Sequence, residues 1–520
     1  MDGLSVRASA STHHTDGRAV DGTFLKRQRG DGVTEGKTPA RRLSARDYKR
    51  IFFELLGRSP HLCAYRVLSW GQRFIFFVVL VAAGACLVMW TRPTVMAVNG
   101  FLICYYLVLC SWKIWLIDES LVSRREIAVT PEEVAALRDE DCPVYTILVP
   151  LYHETETLVR LVDGISKLDY PHDKLDVIFL LEEDDHETRA AFAELTVPSF
   201  IRGVVVPDMQ PKTKPKACNL GLHLARGKYL VIYDAEDRPD PDQLKKAVIA
   251  FTRVEPNVVC IQAKLNFYNP RQNLLTRLFT VEYSMWFDLF LPGLDYLNQP
   301  IPLGGTSNHF QTQKLRELYG WDAFNVTEDC DLGVRMAARN YQTRMLDSTT
   351  WEEACSHLGY WIRQRSRWIK GYIQTYLVHC RRPFRMLREL GFWRTFGFHM
   401  MIGGTPVCLL INPVYWVLAL FWVLFRSQQV AVFFPFPIIL FAAVCLFVGN
   451  FVFVYAGVLA AYRRQYYDLV KTSLLMPFYW VLMSLGAWKG FLQILYRPNY
   501  WEKTKHGLDL LKGGGAPDAS

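Results

Sequence analysis

Two long apolar runs separated by a short turn constrain this chain most. Residues 74–90 carry no charged side chain, and residues 94–117 carry only Lys113, near their end. Each approaches the roughly 20 residues that a membrane-spanning helix needs. In hydrocarbon a backbone must satisfy its own hydrogen bonds, so such runs form helices. Thr91-Arg92-Pro93 between them makes the pair a hairpin over residues 73–118. Two runs this close together argue against buried core helices. Basic residues crowd the segment before the first run, and Arg124-Arg125 follow the second. By the positive-inside rule both flanks are cytoplasmic.

Later in the chain, residues 405–425 and 433–455 read as further spans, after a short amphipathic segment at 396–404. Residues 474–488 are apolar but contain Pro477, and Lys489 follows. That stretch is expected to cross or re-enter only with help from neighbouring helices. The region 394–496 is thus an interfacial helix plus membrane helices. The expectation is four spans and an incomplete fifth, with Lys503–Lys512 cytoplasmic. Residues 1–45 read as a disordered tail, residues 46–72 as a cytoplasmic or interfacial segment, and residues 497–520 as a polar tail.

Between the two membrane regions the pattern changes. Residues 144–150, 177–181, 203–206, 229–233 and 258–266 are short apolar runs of the kind a buried parallel strand shows. Residues 153–168 and 216–226 have helical spacing. Strands alternating with helices predict a doubly wound, mostly parallel sheet over residues 140–385. Residues 274–291 form a helix whose aromatics suit either a membrane interface or a core face. The composition suits a soluble domain joined to membrane helices: 51% of residues are hydrophobic and 21% are charged. The net charge of +9 fits an anionic surface or substrate, and no nucleic-acid motif accompanies it. The twelve cysteines show neither disulfide nor zinc spacing.

Two of the strands run into acids. One ends in Glu182-Glu183-Asp184-Asp185, the other in Asp234-Ala235-Glu236-Asp237. Ligands of open α/β sheets bind at the carboxyl ends of strands. Closely spaced oxygen ligands such as Asp234, Glu236 and Asp237 can share Mg²⁺ or Mn²⁺, which in turn holds phosphate. A solvated acidic turn capping a helix is the competing reading. Further on come the Gly304-Gly305 loop, a Thr327-Glu328-Asp329 turn opening a helix, and Gln364-Arg365-Ser366-Arg367-Trp368.

In this order the motifs resemble those of membrane-embedded family 2 glycosyltransferases of the cellulose synthase-like, processive β-glycan synthase group. The resemblance covers about residues 140–500. Thr327–Asp329 matches TED, Gln364–Trp368 matches QxxRW, and Lys216-Ala217-Cys218-Asn219 is similar to a donor-binding K-A-x-N segment. Two departures stand out. The DxD position reads D-x-E, or shifts to Glu236-Asp237, and the first acid motif is Glu-Glu-Asp-Asp. Which of Glu183 and Asp184 faces the nucleotide base is thus left open. The resemblance implies a GT-A-like catalytic domain on the cytoplasmic side of a bacterial inner membrane. It also implies a nucleoside-diphosphate-sugar donor and a glycan or glycolipid acceptor, with accessory export proteins as possible partners. In that reading Asp329 is the general base beside Glu328, and Arg367 stabilises the departing diphosphate. Lys216 and Asn219 serve the donor, while Gln364, Arg365 and Trp368 shape the acceptor end. A nucleotide-binding transport or receptor protein is the alternative from another class; it would need neither TED nor QxxRW.

Overall fold

The structure is a computed structural model that describes residues 43–500 apart from Arg124 and Ser427. Most of both expected tails, including Lys503–Lys512, lies outside the described residues, as does Arg124.

An eight-stranded sheet forms the centre of the region between the two groups of apolar helices. Its strands are β1 (Tyr145–Leu151), β2 (Leu175–Glu182), β3 (Ile201–Val206), β4 (Tyr229–Ile232), β5 (Arg238–Pro239), β6 (Val258–Phe267), β7 (Asn308–Gln311) and β8 (Gln342–Glu352), in the order β3-β2-β1-β4-β7-β6-β8-β5. β3, β2, β1 and β4 are parallel to one another, as are β6 and β8. β7 runs antiparallel between β4 and β6, and β5 antiparallel to β8. The doubly wound expectation therefore describes the first half, and the whole sheet is mixed but mostly parallel. β2 and β6 are buried along their whole length, because helices cover both faces. The helix Lys214–Leu224 lies flush on the sheet at Gly221, where a methyl group would meet Leu148 Cδ2 at 2.7 Å.

The strand-end register positions the acids. β1 pairs with both β2 and β4, Leu151 opposite Leu181 and Leu148 opposite Ile232. The acids after β2 and those after β4 consequently leave the same edge of the sheet, on either side of β1.

Among the described residues five helices are long and apolar enough to cross a membrane: Trp70–Met89, Thr91–Val122, Pro383–Phe425, Phe436–Arg463 and Tyr467–Tyr496. The apolar window of the first is entirely unburied by protein, and Phe74, Leu80 and Val88 stand exposed along it. Two sequence expectations are corrected here, and one left open is decided. Pro477 does not break the last helix; it occupies the first turn of Met476–Tyr496, where its missing N–H costs nothing. The helix at 396–404 is not a separate piece but runs through a π-turn at His399–Gly403 into Gly404–Phe425. The break falls earlier, at Gly391, whose φ of +75° no helix accommodates. The helix predicted at 274–291 is a core element: Phe279, Tyr283, Phe287 and Phe290 are all buried, and it passes through a π-turn at Trp286–Phe290.

The last apolar helix lies alongside Leu358–His379, the helix that carries the QRSRW residues. Gly486 and Gly490 make the approach possible, since a methyl group on Gly490 would sit 2.5 Å from the Ser366 carbonyl oxygen. Beyond it, the Pro498 and Tyr500 carbonyls accept hydrogen bonds from Gln374 (2.8 Å) and Lys370 (2.6 Å). At the other end Asp468 pairs with Arg271 at 2.9 Å. The segments that flank this helix are therefore both tied to the sheet-bearing region.

Candidate active site

Four segments distant in sequence meet at the carboxyl edge of β4. Lys214, in the first turn of its helix, places Nζ 2.5 Å from Asp234 Oδ1 and donates to the Gly305 carbonyl at 2.7 Å. Gly305 in turn faces the TED turn: a methyl group there would lie 3.4 Å from Asp329 Oδ2. The guanidinium of Arg367 acts on Glu328, Asp329 and Asp234 together. The helix of Arg367 seats on the TED turn at Gly371, where a methyl group would collide with Thr327 Oγ1 at 2.3 Å. Gln374 Oε1 accepts the Val326 N–H at 3.1 Å, and Thr375 accepts Asn325 Nδ2 at 2.9 Å. The predicted catalytic residues Glu328, Asp329 and Arg367 are thus brought together with Asp234 and Gly305.

Burial sets the protonation pattern. It raises Asp329 to about 6, although the Cys330 N–H (2.7 Å), Lys214 and Arg367 pull the other way. Burial and the Asp329 charge raise Glu328 to about 8. Near neutral pH this leaves one basic carboxylate beside one carboxylic acid, the division that acid–base chemistry needs. Asp331, one turn further, differs. Burial pushes it up, but Arg335 at 2.7 Å and His379 at 2.9 Å outweigh that and hold it below the usual range. It is locked inside the fold and offers no substitute base.

The acids after β4 do not form a finished cage. Among the described residues no three His, Cys, Asp or Glu side chains are arranged to hold a metal by themselves. Asp234 lies on Lys214. Asp237 is buried, and its Oδ2 accepts Thr306 Oγ1 and the Asp234 N–H. Its Oδ1 has no partner. Burial and the charges of Asp234 and Glu236 push Asp237 well up, and burial and the same acids push up Glu352, at the end of β8. A cluster of desolvated, mutually repelling carboxylates with an orphaned oxygen fits a divalent cation. Mg²⁺ is usually held by one or two carboxylates plus substrate phosphates rather than by an all-protein cage.

Other predicted residues have structural partners instead. Lys216 is fully buried against Glu182 at 2.9 Å and the Met209 carbonyl at 3.2 Å. Asn219 clamps Trp321, accepting its N–H and donating to its carbonyl, both at 2.9 Å, and also donates to the Phe52 carbonyl. Arg365 is buried in a bidentate pair with Glu282, bonds Tyr479 Oη at 3.2 Å, and stacks 4.3 Å from the rings of Phe279 and Trp368. Gly304 is required by packing, with Leu265 and Phe287 within 3.2 Å of a methyl group there. Trp368 is half-buried against Tyr283, and Gln364 Oε1 is buried with no partner. Glu183 accepts the Asp208 N–H at 2.9 Å, and Asp184 pairs with Lys212 and Tyr152.

Residues 229–452 match the family described as "Glycosyl transferase family group 2". The match starts at β4 and takes in Asp234, the TED turn and QRSRW. Cellulose synthase 2 of Novacetimonas hansenii is 28% identical over 244 residues, 45% of this chain. Over residues 229–452 the chain is similar to glycosyl transferase family group 2. A further member-like relative, beta-monoglucosyldiacylglycerol synthase of Synechocystis, is 24% identical over 302 residues, 55% of this chain. The matches span 15% and 62% of those relatives' lengths, less than two thirds of each. Among solved structures, the mannosyltransferase PcManGT of Pyrobaculum calidifontis, in complex with GDP-Man and Mn²⁺, superposes with a TM-score of 0.51. It is 20% identical and covers 77% of this chain and 99% of its own. It shares the fold of this chain.

Reading the sequence missed three residues of this candidate site: Lys214, Thr306 and Glu352. Lys214 was legible as a lysine two places before the K-A-x-N segment. Glu352 ends a strand too polar for apolar periodicity to reveal.

Proposed function

We propose that this chain is a membrane-bound inverting glycosyltransferase that transfers sugar from a nucleoside-diphosphate sugar to a growing β-linked polysaccharide, with export of the product across the membrane. The observation that carries the reading is Asp329, held as a base between Lys214 and Arg367 beside the Gly304-Gly305 backbone. In this reading Asp329 takes the proton from the acceptor hydroxyl as its oxygen attacks the anomeric carbon. The bond to the diphosphate breaks on the opposite face, and one displacement inverts the configuration. Lys214 and Arg367 present positive charge to the diphosphate oxygens as they gain charge. Glu328, neutral near pH 7, leaves Asp329 as the charged member of the pair. Asp234, Glu236 and Asp237 would hold Mg²⁺ or Mn²⁺, which neutralises a diphosphate as a Lewis acid. Half-buried Trp368 offers an aromatic ring face to the apolar face of a sugar ring. The catalytic region is assigned to the cytoplasmic side, in line with the basic flanks of the hairpin, and to a bacterial inner membrane.

The similarity to a diacylglycerol-modifying synthase supports a second reading, single transfer to a lipid acceptor. A donor screen on detergent-solubilised protein, with product digestion by linkage-specific hydrolases, separates the two. A hydrolase-sensitive polymer is the expected product. A solvent-extractable lipid bearing one sugar would favour the second reading, and no nucleotide release from any donor would overturn both.

A further inference from the structure

Lys113 is the charge that interrupts the second apolar run, and nothing in the proposed transfer uses it. Its helix is Thr91–Val122. From Thr91 to Lys113 is about 33 Å at 1.5 Å per residue, one hydrocarbon thickness. If the hairpin turn lies at the far surface, Lys113 sits at headgroup depth on the catalytic side. It lines a half-open cavity of about 500 Å³ between Thr91–Val122, Gly404–Phe425 and Phe436–Arg463, with Trp480 of the last apolar helix also in its wall. That volume is in the range of small-molecule and lipid pockets.

The walls are mostly Leu, Ile, Val, Ala, Phe and Trp. The amide and hydroxyl groups among them find partners within the protein. Tyr106 bonds Asn412, Tyr415 bonds Asn99 at 2.9 Å, and Thr405 bonds the Met401 carbonyl at 3.0 Å. Asn450 bonds the Leu446 carbonyl. Lys113 differs. Its ammonium lies 4.8 Å from the Phe453 ring centre and 5.8 Å from that of Phe290, and among the described residues it has no ion pair or hydrogen bond. A cation at membrane depth is costly unless an anion meets it. Along Thr91–Val122 the cavity runs from Leu102 to Lys113, about 17 Å, close to the depth of a single leaflet.

We propose that this cavity holds one membrane lipid of the leaflet on the catalytic side, its anionic headgroup on the Lys113 ammonium and an acyl chain between the three helices. This does not depend on which sugar or acceptor the enzyme uses. Charge complementarity selects the headgroup, and the length and apolar lining of the cavity select an acyl chain over a soluble anion.

The test measures lipid retained by the full-length protein. Wild type, Lys113→Gln, Lys113→Arg, Ala443→Trp and Arg388→Gln are purified in detergent, delipidated, and equilibrated with phosphatidylglycerol or phosphatidylcholine. Bound phospholipid and thermal stability are then read. Wild type should retain phosphatidylglycerol over phosphatidylcholine by roughly tenfold or more, the scale of a charge-assisted hydrogen bond. Lys113→Gln should lose that preference and Lys113→Arg keep it. Ala443→Trp fills the cavity without touching the charge and should lose retention. Arg388→Gln, on an exposed helix surface outside the cavity, should behave as wild type. Equal retention of both lipids by wild type, undiminished preference in Lys113→Gln, or the same stabilisation from inorganic phosphate alone would each overturn the proposal.

Discussion

Replacing Asp329 by Asn tests the proposed base and has two opposite consequences. The substitution keeps the shape and the oxygen that accepts the Cys330 N–H, and removes the basicity. A carboxylate raised to about 6 is about 90% ionised at pH 7 and about half at pH 6. Wild-type kcat should therefore fall on the acid side with a midpoint near 6. In Asp329→Asn kcat should drop roughly 10²–10⁴-fold, the usual worth of a positioned base, and that acid limb should disappear. Stability moves the other way. Folding raises this acid above its ordinary 3.8, so the folded state disfavours its charged form. The penalty is absent below pH 3.8, grows as pH rises toward 6, and is complete above it. A shift of about 2 units corresponds to at most about 3 kcal/mol, and less than that here because the side chain keeps some solvent access. The neutral variant should then be more stable than wild type at pH 8 and about equal at pH 4. The assays are nucleotide release against pH and thermal unfolding at the two pH values. A variant that keeps near-normal turnover, or retains the acid limb, would refute the assignment, and one that is less stable at pH 8 would refute the electrostatic account.

Other expectations follow from the same geometry. Lys214→Met should abolish transfer with the fold intact, whereas Lys216→Met should leave buried Glu182 without its cation and destabilise the protein by about 3–5 kcal/mol; thermal unfolding beside turnover distinguishes them, and equal phenotypes would contradict the assignment. A chelator should stop transfer and Mg²⁺ or Mn²⁺ restore it, since the acids around Asp237 repel one another; full activity in chelator would show that Lys214 and Arg367 suffice. A single Cys at Ser520, in a background lacking other accessible thiols, should resist a membrane-impermeant maleimide in intact cells. Both ends of Met476–Tyr496 are tied to the catalytic region, so labelling without permeabilisation would make that helix a true crossing.

The parts of this fold legible beforehand are those whose signal is local. Continuous apolar runs announce β1, β2 and β6, and motif spacing announces TED and QRSRW. β8 escapes because QTRMLDSTTWE buries Met345 and Leu346 side by side, followed by the buried polar Ser348 and Thr350, so no run or alternation of apolar residues marks it. Residue roles inside a motif are less legible still. Arg365 and Arg367 are two apart, yet one binds Glu282 across 83 residues and the other faces the TED turn. Lys214 and Lys216 divide in the same way. Such divisions depend on which face of a helix meets which distant partner. Pro477 misled because a proline at a first turn and one in a helix interior read alike without the boundary.

The Arg365–Glu282–Tyr479 bond also bears on how the catalytic half can be handled. Glu282 is buried, and its phenolic partner comes from the last apolar helix. A fragment ending near residue 385 would keep every catalytic side chain named above. It would also expose the groove that Gly486 and Gly490 fill, and strip the Tyr479 hydroxyl from the buried Arg365–Glu282 pair, two residues from Arg367. Excision at the apparent domain boundary would thus cut through the support of the active site, and a soluble catalytic fragment should be made with Met476–Tyr496 fused back onto it.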